Sequence, residues 1–408
     1  MRKSIFYLSA VATMAFVSCA QDETIEINQG KDIRFNVLTN SMTRAADVDI
    51  KSLGSFKVET LQGETVKGAS PVWKDTYTTK DGGTSFNGAA THFWPGDNTP
   101  LHFFAYNDAL SNSTVTINGT TQTITGVKPA TTANAQKDLV VAYATGNQKT
   151  NGTSGVTVNF KHAFTKVVIQ GKNDKSTSLK VEVLGVRLNG VNSTADLTLP
   201  TTSTNTDAST SLAQSIWSVT NNTTNKDGDY KALPSKGLST SLTPVVLNGT
   251  AQSLMDVTAD DKSNKYNNAF MVLPQQLTKL TPGNAGSTDV NGAYISVLCR
   301  ISQSDGNSGW TQMFPPVLGT GNEKNKGKYA WTAVPIDENW QPGTCYTYTL
   351  DFSNGAGTTD PDQPTKPTDP EVPVDPNKPV LGDAIKLSVT VSKWNDAQKP
   401  GFDGNTSM

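Results

Sequence analysis

The feature that most constrains this chain is a series of short segments in which apolar or β-branched residues alternate with polar ones. Because successive side chains of a β-strand point to opposite faces, this period of two predicts strands with one buried face. Clusters of Gly and Asn, which accept the backbone angles of tight turns, separate the segments. The predicted strands are 33–38, 101–106, 156–160, 165–170, 179–188, 294–301 and 344–352.

Helical periodicity is weak throughout the sequence. The best candidate is 209–219, and Trp217 within it fits a strand equally well. Many short strands at this spacing favour packed β-sandwiches over a parallel α/β sheet. We therefore predict an all-β fold.

Length and composition narrow the class of protein. The chain has 408 residues, and one hydrophobic core usually stops growing at about 250 to 300 residues, so about two domains are expected. Its net charge is -2, which leaves no basic excess to neutralise a phosphate backbone, and we expect no nucleic-acid partner. Three His and three Cys leave little for a metal site or a Cys/His nucleophile. We expect no cofactor, no metal and no catalytic residues.

Residues 1–18 have the pattern of an export signal. Two basic residues follow the initial Met, and the apolar stretch 5–17 is too short to span a bilayer as a permanent helix. The stretch ends in Ser18 and Cys19, which resembles the lipobox of bacterial lipoproteins, whereas an ordinary signal peptide with an incidental cysteine is the alternative. By this resemblance Cys19 becomes the acylated N-terminus and anchors the chain to the outer membrane. Acidic residues at 22–23 resemble the surface-export signal of lipoproteins from Bacteroides-type bacteria.

Changes in composition suggest how the chain is divided. The segment 353–380 is rich in Pro, Asp and Thr, cannot bury a core, and is predicted to form an extended tether. A less certain boundary is placed in the Gly-containing stretch 152–155. The predicted units are a signal peptide (1–18), a propeptide (19–44), an N-terminal β-sandwich domain (45–154), a C-terminal β-sandwich domain (155–352), the tether (353–380) and a terminal strand segment (381–408).

An amphipathic strand lies near each end of the chain. Apolar residues occupy every second position of 385–391, and Trp394 closes the run. A single strand cannot bury its own apolar face, so this one must join a sheet of its own domain or of a neighbouring molecule. The segment 33–37 is a second, shorter amphipathic strand, and a small polar segment containing Arg44 follows it.

Motifs that would indicate catalysis are missing from the sequence. It has no nucleophile elbow, phosphate-binding loop, HExxH pair or calcium loop. The three histidines lie near aromatic residues and are predicted to be structural. Cys299 and Cys345 lie in strand-like segments, and two buried thiols are favoured over a disulfide because alternation alone does not bring their Cα atoms within about 7 Å.

Along almost its whole length the chain is similar to the fimbrillin-like proteins of Bacteroidales, the lipoprotein-derived subunits of type V pili. The order and spacing of several segments together carry the resemblance. These segments are the lipobox at Cys19, the Thr43-Arg44-Ala45 site, 93–106, 137–142, 159–170, 340–352 and the terminal strand 385–394.

The resemblance implies two transthyretin-like β-sandwich domains plus a tethered C-terminal strand. It also implies export as a lipoprotein and cleavage between Arg44 and Ala45 by an arginine-specific protease. Loss of the N-terminal strand would open a hydrophobic groove, which a terminal strand of another pilus subunit would fill. The residues implied are Ile33, Phe35 and Val37 in the removed strand and Ile385, Leu387, Val389, Val391 and Trp394 in the donor strand.

Three functions remain open at this stage. The first is a polymerising pilus subunit on the cell surface that supports adhesion. The second is a surface glycan-binding lipoprotein that uses Trp310 or Trp331 as a stacking platform, and the third is an outer-surface hydrolase. The amphipathic terminal strand favours the first, because a glycan binder needs no detachable strand. Whether the subunit belongs to the stalk or the tip stays open.

Overall fold

The computed structural model describes most of the chain, and the statements below concern that part. The described residues are 31–39, 53–79, 85–109, 112–205, 211–219, 228–232, 244–255, 269–281, 283–284, 292–320, 323–362, 374–382 and 385–394.

Strands account for 51% of the structure and helices for 3%, which confirms the all-β prediction. The strands of the first half are β1 (Phe35–Thr39), β2 (Ser55–Gln62), β3 (Ser70–Thr78), β4 (Asn87–Gly88), β5 (Leu101–Tyr106), β6 (Thr114–Ile117), β7 (Gln122–Val127), β8 (Val140–Gly146), β9 (Val156–His162), β10 (Thr165–Lys172), β11 (Leu179–Val191) and β12 (Ala195–Thr198). Those of the second half are β13 (Trp217–Val219), β14 (Gly228–Ala232), β15 (Val245–Val246), β16 (Gln252–Ser253), β17 (Phe270–Val272), β18 (Tyr294–Ser304), β19 (Trp310–Phe314), β20 (Ala330–Pro335), β21 (Thr344–Asp351), β22 (Thr358–Thr359) and β23 (Lys386–Lys393).

Helical structure is confined to short pieces. They are α1 (Gln148–Asn151) and two 3₁₀ turns, Ala133–Ala135 and Gln214–Ile216. Trp217 follows the second turn and begins β13, so this residue lies in a strand. Among the described residues no helix has the length and apolar character needed to cross a bilayer.

The strands form four sheets, which we number by their first strand. The first sheet has the order β1-β9-β8-β5-β2-β3-β4, and the second has the order β13-β12-β7-β6. The third sheet is β16-β10-β21-β23, with β17 also paired to β10. The fourth is β14-β11-β18-β20-β22, with β15 and β19 added on β11 and β18.

Alternation along the strands divides the apolar residues between three main clusters. On β5, Phe103 faces one side of the first sheet, and its neighbour Phe104 faces the other side, towards Leu197 of the second sheet. The third and fourth sheets enclose the largest cluster, which contains Ile169 and Val297. Strand β5 therefore places these two side chains as the period of two predicts.

The predicted boundary at 154/155 does not coincide with a boundary between sheets. Strand β9 begins after it yet pairs with β1 and β8 of the first sheet. Strands β12 and β13 also follow the predicted boundary, and they extend the sheet that β6 and β7 form before it. These pairings join residues that are distant in sequence, and local composition carries no signal for them.

The two described ends of the predicted tether pack against the protein and against each other. The N–H of Ala356 donates to the carbonyl of Val380 at 3.1 Å, and the N–H of Val380 donates to the carbonyl of Gly357 at 2.9 Å. Asp360 is fully buried and accepts hydrogen bonds from Ser296 and Tyr294. Residues 363–373 lie outside the described part. The ends of 353–380 therefore differ from the extended tether that composition predicts, because backbone pairing and a buried carboxyl hold them in place.

Candidate functional site: the two terminal strands

Strand β1 lies at an edge of the first sheet and runs parallel to β9. Its register places Phe35 beside Val156 and Val37 beside Val158. The side chains of Ile33, Phe35 and Val37 are all buried, whereas the polar residues between them face solvent. The alternation in the sequence therefore has a direct structural counterpart at these three positions.

Phe35 occupies the centre of an aromatic cluster built by three other strands. Its ring lies 4.9 Å from that of Tyr77 and 5.2 Å from that of Phe103, both in edge-to-face contact. The ring of Phe56 is 6.5 Å away. Since Tyr77 lies on β3, next to the opposite edge strand, the first sheet curls and brings its two edges together. Removing β1 would uncover a groove lined by these aromatic rings.

Besides its five-pair ladder with β9, β1 makes few polar contacts. The N–H of Ile33 donates to the carbonyl of His92 at 2.8 Å, and the side-chain amide of Asn36 donates to the carbonyl of Ser154 at 2.7 Å. Arg34 and Asp32 form an exposed ion pair at 2.7 Å, a type of contact that contributes little to stability. Burial of its apolar side chains is therefore the main force that retains this strand.

A cavity of about 560 Å³ lies between the outer side of β1 and the opposite edge of the sheet. It is lined by 32–37 on one side and by Tyr77, 85–88 and 90–91 on the other. Asp75 organises the second wall. Burial opposes ionisation of Asp75, but hydrogen bonds from the N–H groups of Ala90 and Thr76 outweigh it and hold the pKa of this carboxyl below its usual value.

Strand β23 pairs antiparallel with β21 of its own chain. Eight residue pairs form the ladder, from Lys386 opposite Asp351 to Lys393 opposite Thr344. Ile385 is buried, and Leu387 and Val389 are half-buried against the core between the third and fourth sheets. The terminal strand thus completes a sheet of its own chain, one of the two arrangements that the sequence left open.

Val391 departs from the alternation expected for the donor residues. Its side chain is 56% exposed, although it stands two positions after Val389 on the same face. Opposite it lies Tyr346 of β21. In the chain's own sheet, therefore, the apolar face of β23 is covered at its start and uncovered near its end.

Trp394 is buried at the point where the first and third sheets meet. Its ring stacks on that of His162 at the end of β9, with 4.4 Å between centroids and an angle of 1° between planes. The ammonium of Lys166 lies 5.4 Å from the Trp394 ring. The N–H of Trp394 donates to the carbonyl of Gly343 at 2.9 Å. Trp394 thus joins the terminal strand to the cluster between the first and second sheets.

The three histidines hold structural positions. His162 contacts the buried Asp138 through Nδ1 at 2.6 Å. His102 lies between the hydroxyl of Tyr143 and the carbonyl of Gly63, and His92 stacks on Trp73 while contacting Asp75. The prediction of structural histidines is confirmed. Within the described part of the chain, no three His, Cys, Asp or Glu side chains form a group that could hold a metal ion.

Burial decides the remaining candidate residues, which are two tryptophans considered as sugar platforms and two cysteines. Trp331 is 3% exposed and cannot serve as a stacking platform for a sugar, whereas Trp310 is 42% exposed. Cys299 and Cys345 are buried thiols without a disulfide, as favoured from the sequence. Burial raises the pKa of the Cys299 thiol to about 12. The thiol of Cys299 is therefore not poised as a nucleophile.

Several predicted sites fall outside the described residues. Cys19, the proposed lipid attachment site, lies in 1–30, and the proposed cleavage site at Arg44 and Ala45 lies in 40–52. The structure does place the strand that precedes this cleavage site. It also reveals a contact that sequence reasoning missed, the stack of His162 and Trp394. A histidine and a tryptophan far apart in sequence offer no local signal that they meet.

Comparison with known proteins supplies the family context. A family model described as fimbrillin-like matches residues 43–394. A fimbrial protein from Bacteroides vulgatus ATCC 8482 is 16% identical, with a TM-score of 0.53 over 89% of this chain and 99% of that chain, which shows a shared fold. A protein from Bacteroides ovatus ATCC 8483, provisionally assigned to cell adhesion, is 12% identical, with a TM-score of 0.42 over 90% of this chain and 98% of that one. No curated protein matches this chain.

Proposed function

The chain belongs to the fimbrillin-like family, and from this premise we propose that it is a pilus subunit that polymerises by donor-strand exchange. Membership in this family indicates a structural protein rather than an enzyme. In the proposal, the chain is exported as a lipoprotein acylated at Cys19 and reaches the cell surface. An arginine-specific protease then cuts between Arg44 and Ala45, and β1 leaves the first sheet.

The observation that carries the proposal is the position of β1. It is an edge strand whose Phe35 and Val37, together with Ile33 just before it, fill a groove, and Phe35 contacts rings from three other strands. Arg44 follows the end of β1 by five residues, so cleavage there would separate the strand from the rest of the protein. An uncovered groove of this kind favours addition of an amphipathic strand, since backbone pairing and side-chain burial would both be restored.

The occupant of the groove would be the terminal strand of a second copy or of another pilus subunit. Strand β23 is the other amphipathic edge strand, and no strand among the described residues pairs with its outer side. To be donated, β23 must leave β21 of its own chain and enter the groove of the acceptor subunit. The residues proposed to enter that groove are Ile385, Leu387, Val389, Val391 and Trp394.

Proteolysis of the purified precursor tests the activation step. Incubation with an arginine-specific protease should remove residues up to Arg44 and produce a ladder of polymers by sizing. Arg44→Ala should leave the precursor folded, because the small polar segment around Arg44 in the sequence is expected to bury no core and such substitutions usually change stability by less than about 0.5 kcal/mol, and it should block the ladder. Arg34→Ala is the matched control, since it removes the exposed arginine of the segment leading into β1, and it should assemble normally. Assembly of Arg44→Ala at the wild-type rate would rule out this cleavage site.

Charge substitutions test the donor strand. Leu387→Asp with Val389→Asp should stop assembly, because a buried unpaired carboxylate is strongly disfavoured in an apolar groove. Ser388→Asp with Thr390→Asp places the same charges on the exposed face of β23 and should assemble. Equal loss in both pairs would show that the strand enters the groove in another register or not at all.

Metabolic labelling tests the export route. A palmitate analogue should label the wild-type protein, and Cys19→Ala should lose both the label and surface display. Undiminished display of Cys19→Ala would contradict export as a lipoprotein.

A further inference from the structure

Strand β9 contacts both terminal strands. Its first five residues, 156–160, pair with β1, and its last residue, His162, stacks on Trp394 at the end of β23. Phe160 is the last of the residues that pair with β1, and its ring packs on that of Phe56 in the groove, with 5.2 Å between centroids. One short strand therefore connects the site that β1 occupies to the site that anchors β23.

The first part of β9 depends on β1 for its strand pairing. Strand β8 pairs with β9 at Lys161 and His162, beyond this part. Along 156–160 the side chain of Asn205 takes the place of a strand, accepting from the N–H of Asn159 at 3.1 Å and donating to the carbonyl of Thr157 at 2.5 Å. In the described structure β1 is thus the only strand that pairs with 156–160. Without β1 these residues keep one side-chain clamp and lose their ladder.

The far end of β9 carries the anchor of the terminal strand. His162 is held by the buried carboxylate of Asp138 at 2.6 Å, and the indole of Trp394 covers its ring face. The Nε1 of Trp394 is buried and has no hydrogen-bond partner among the described atoms. A buried N–H without a partner is unfavourable, so the indole of Trp394 is held by ring contacts with His162 and Lys166 and by apolar packing, while its backbone N–H bonds to Gly343. Small displacements of His162 would therefore weaken it.

Apart from its eight-pair ladder with β21, β23 has few contacts that hold it. Leu387 and Val389 are only half-buried, Val391 is largely exposed, and the outer side of the strand pairs with no other described strand. Ile385 and Trp394 are the two buried anchors, one at each end. Loss of the anchor at Trp394 would allow β23 to separate from β21 starting at its C-terminal end.

We infer that β9 couples the two terminal strands, so that departure of β1 loosens the stack of His162 and Trp394 and releases β23 from β21. The inference builds on the proposed function, in which β1 is removed and β23 is donated. It adds an order of events within one subunit, because the chain donates its strand only after its own groove has been emptied. By linkage the effect is reciprocal, and loss of the Trp394 anchor also weakens retention of β1.

Hydrogen exchange on the full-length chain tests the coupling without protease or polymer. Phe35→Ala weakens β1 from inside the groove, and Leu38→Ala, at a position 51% exposed on the same strand, is its control. Amides of β23 should exchange at least about tenfold faster in Phe35→Ala and at the wild-type rate in Leu38→Ala. Amides of β11 and β18 in the opposite sheet should stay protected in both, which separates local release from global unfolding.

Three further variants keep the test decisive. Val58→Ala removes a fully buried side chain from the same cluster without touching the β1–β9 ladder, and it should leave β23 protected. Trp394→Ala should give fast exchange in β23 and faster exchange in 156–160.

If Phe35→Ala proves too unstable, Val37→Ala provides the milder change. Unchanged protection of β23 when β1 is weakened, or equal loss in Val58→Ala, would overturn the coupling while leaving cleavage and polymerisation untouched.

Discussion

The two terminal strands share an alternating apolar pattern but are held in different ways. Strand β1 runs parallel to its neighbour, and Phe35 and Val37 on it are buried in the groove together with Ile33 just before it. Strand β23 has an eight-pair antiparallel ladder, yet only its two ends are buried. Side-chain burial and a five-pair ladder retain the first strand, whereas a longer ladder and two buried ends retain the second.

The difference suits the roles proposed for the two strands. Full burial of three apolar side chains contributes roughly 1.5 to 3 kcal/mol each, an upper estimate because the unfolded chain already buries part of this surface. A strand held so firmly would leave only after its covalent link is cut. A strand that is held by its two ends and by one ladder can exchange partners, because the sheet edge of another subunit offers the same kind of backbone hydrogen bonds.

The largest expected effect is on the stability of the first sheet. Phe35→Ala should lower the free energy of unfolding by about 3 to 5 kcal/mol, the usual cost of truncating a buried aromatic residue. Leu38→Ala, on the exposed side of β1, should change it by less than about 0.5 kcal/mol. Urea denaturation followed by Trp fluorescence measures both, and a small effect at Phe35 would mean that burial does not retain β1.

A comparison within β23 gives the next largest effect. Trp394→Ala should cost about 3 kcal/mol, at the low end for buried aromatics because its indole N–H gains no hydrogen bond. Val391→Ala, three positions earlier on the same strand, should be close to neutral. Equal costs at the two positions would contradict the view that the ends anchor β23.

A natural thiol can report release of β23. Cys345 lies on β21 opposite Ser392, whereas Cys299 is fully buried in the fourth sheet. In Trp394→Ala, labelling of Cys345 by a maleimide should become about tenfold faster if β23 opens locally. Labelling of Cys299 should remain slow. Mass spectrometry of the labelled peptides distinguishes the two, and parallel acceleration at both thiols would indicate global unfolding.

The smallest effect concerns the polar contacts of β1. Asn36→Ala removes the hydrogen bond to the carbonyl of Ser154 and should cost about 0.5 to 1 kcal/mol. Arg34→Ala breaks only an exposed ion pair and should leave the denaturation midpoint unchanged. A larger loss at Arg34 than at Asn36 would show that charge contributes more to retaining β1 than its burial pattern indicates.

Local pattern predicted much of this architecture. The predicted strand 101–106 coincides with β5 at both ends, and 165–170 and 179–188 fall inside β10 and β11. The alternation at 33–37 identified the three buried residues of β1 correctly. Such predictions succeed because the side-chain period of a strand is a local property of the backbone.

Other features depended on contacts that no local pattern records. The predicted tether contains Asp360, which is buried with its Oδ2 3.7 Å from Nη1 of Arg187. Burial raises the pKa of this carboxyl above its usual value. In sequence, an Asp between Thr and Pro reads as a solvated linker residue. Its partners, Arg187 and Ser296, lie on strands that are distant along the chain.

Local alternation was enough to establish the all-β class, the positions of seven strands, the buried face of β1 and the amphipathic character of β23. Only the tertiary structure decided that β9 lies between β1 and Trp394, that β23 pairs with β21, and that Val391 is exposed near the end of an otherwise apolar face. The physical reason is that alternation specifies which face of a strand is apolar, whereas long-range pairing and the curl of each sheet decide what covers that face.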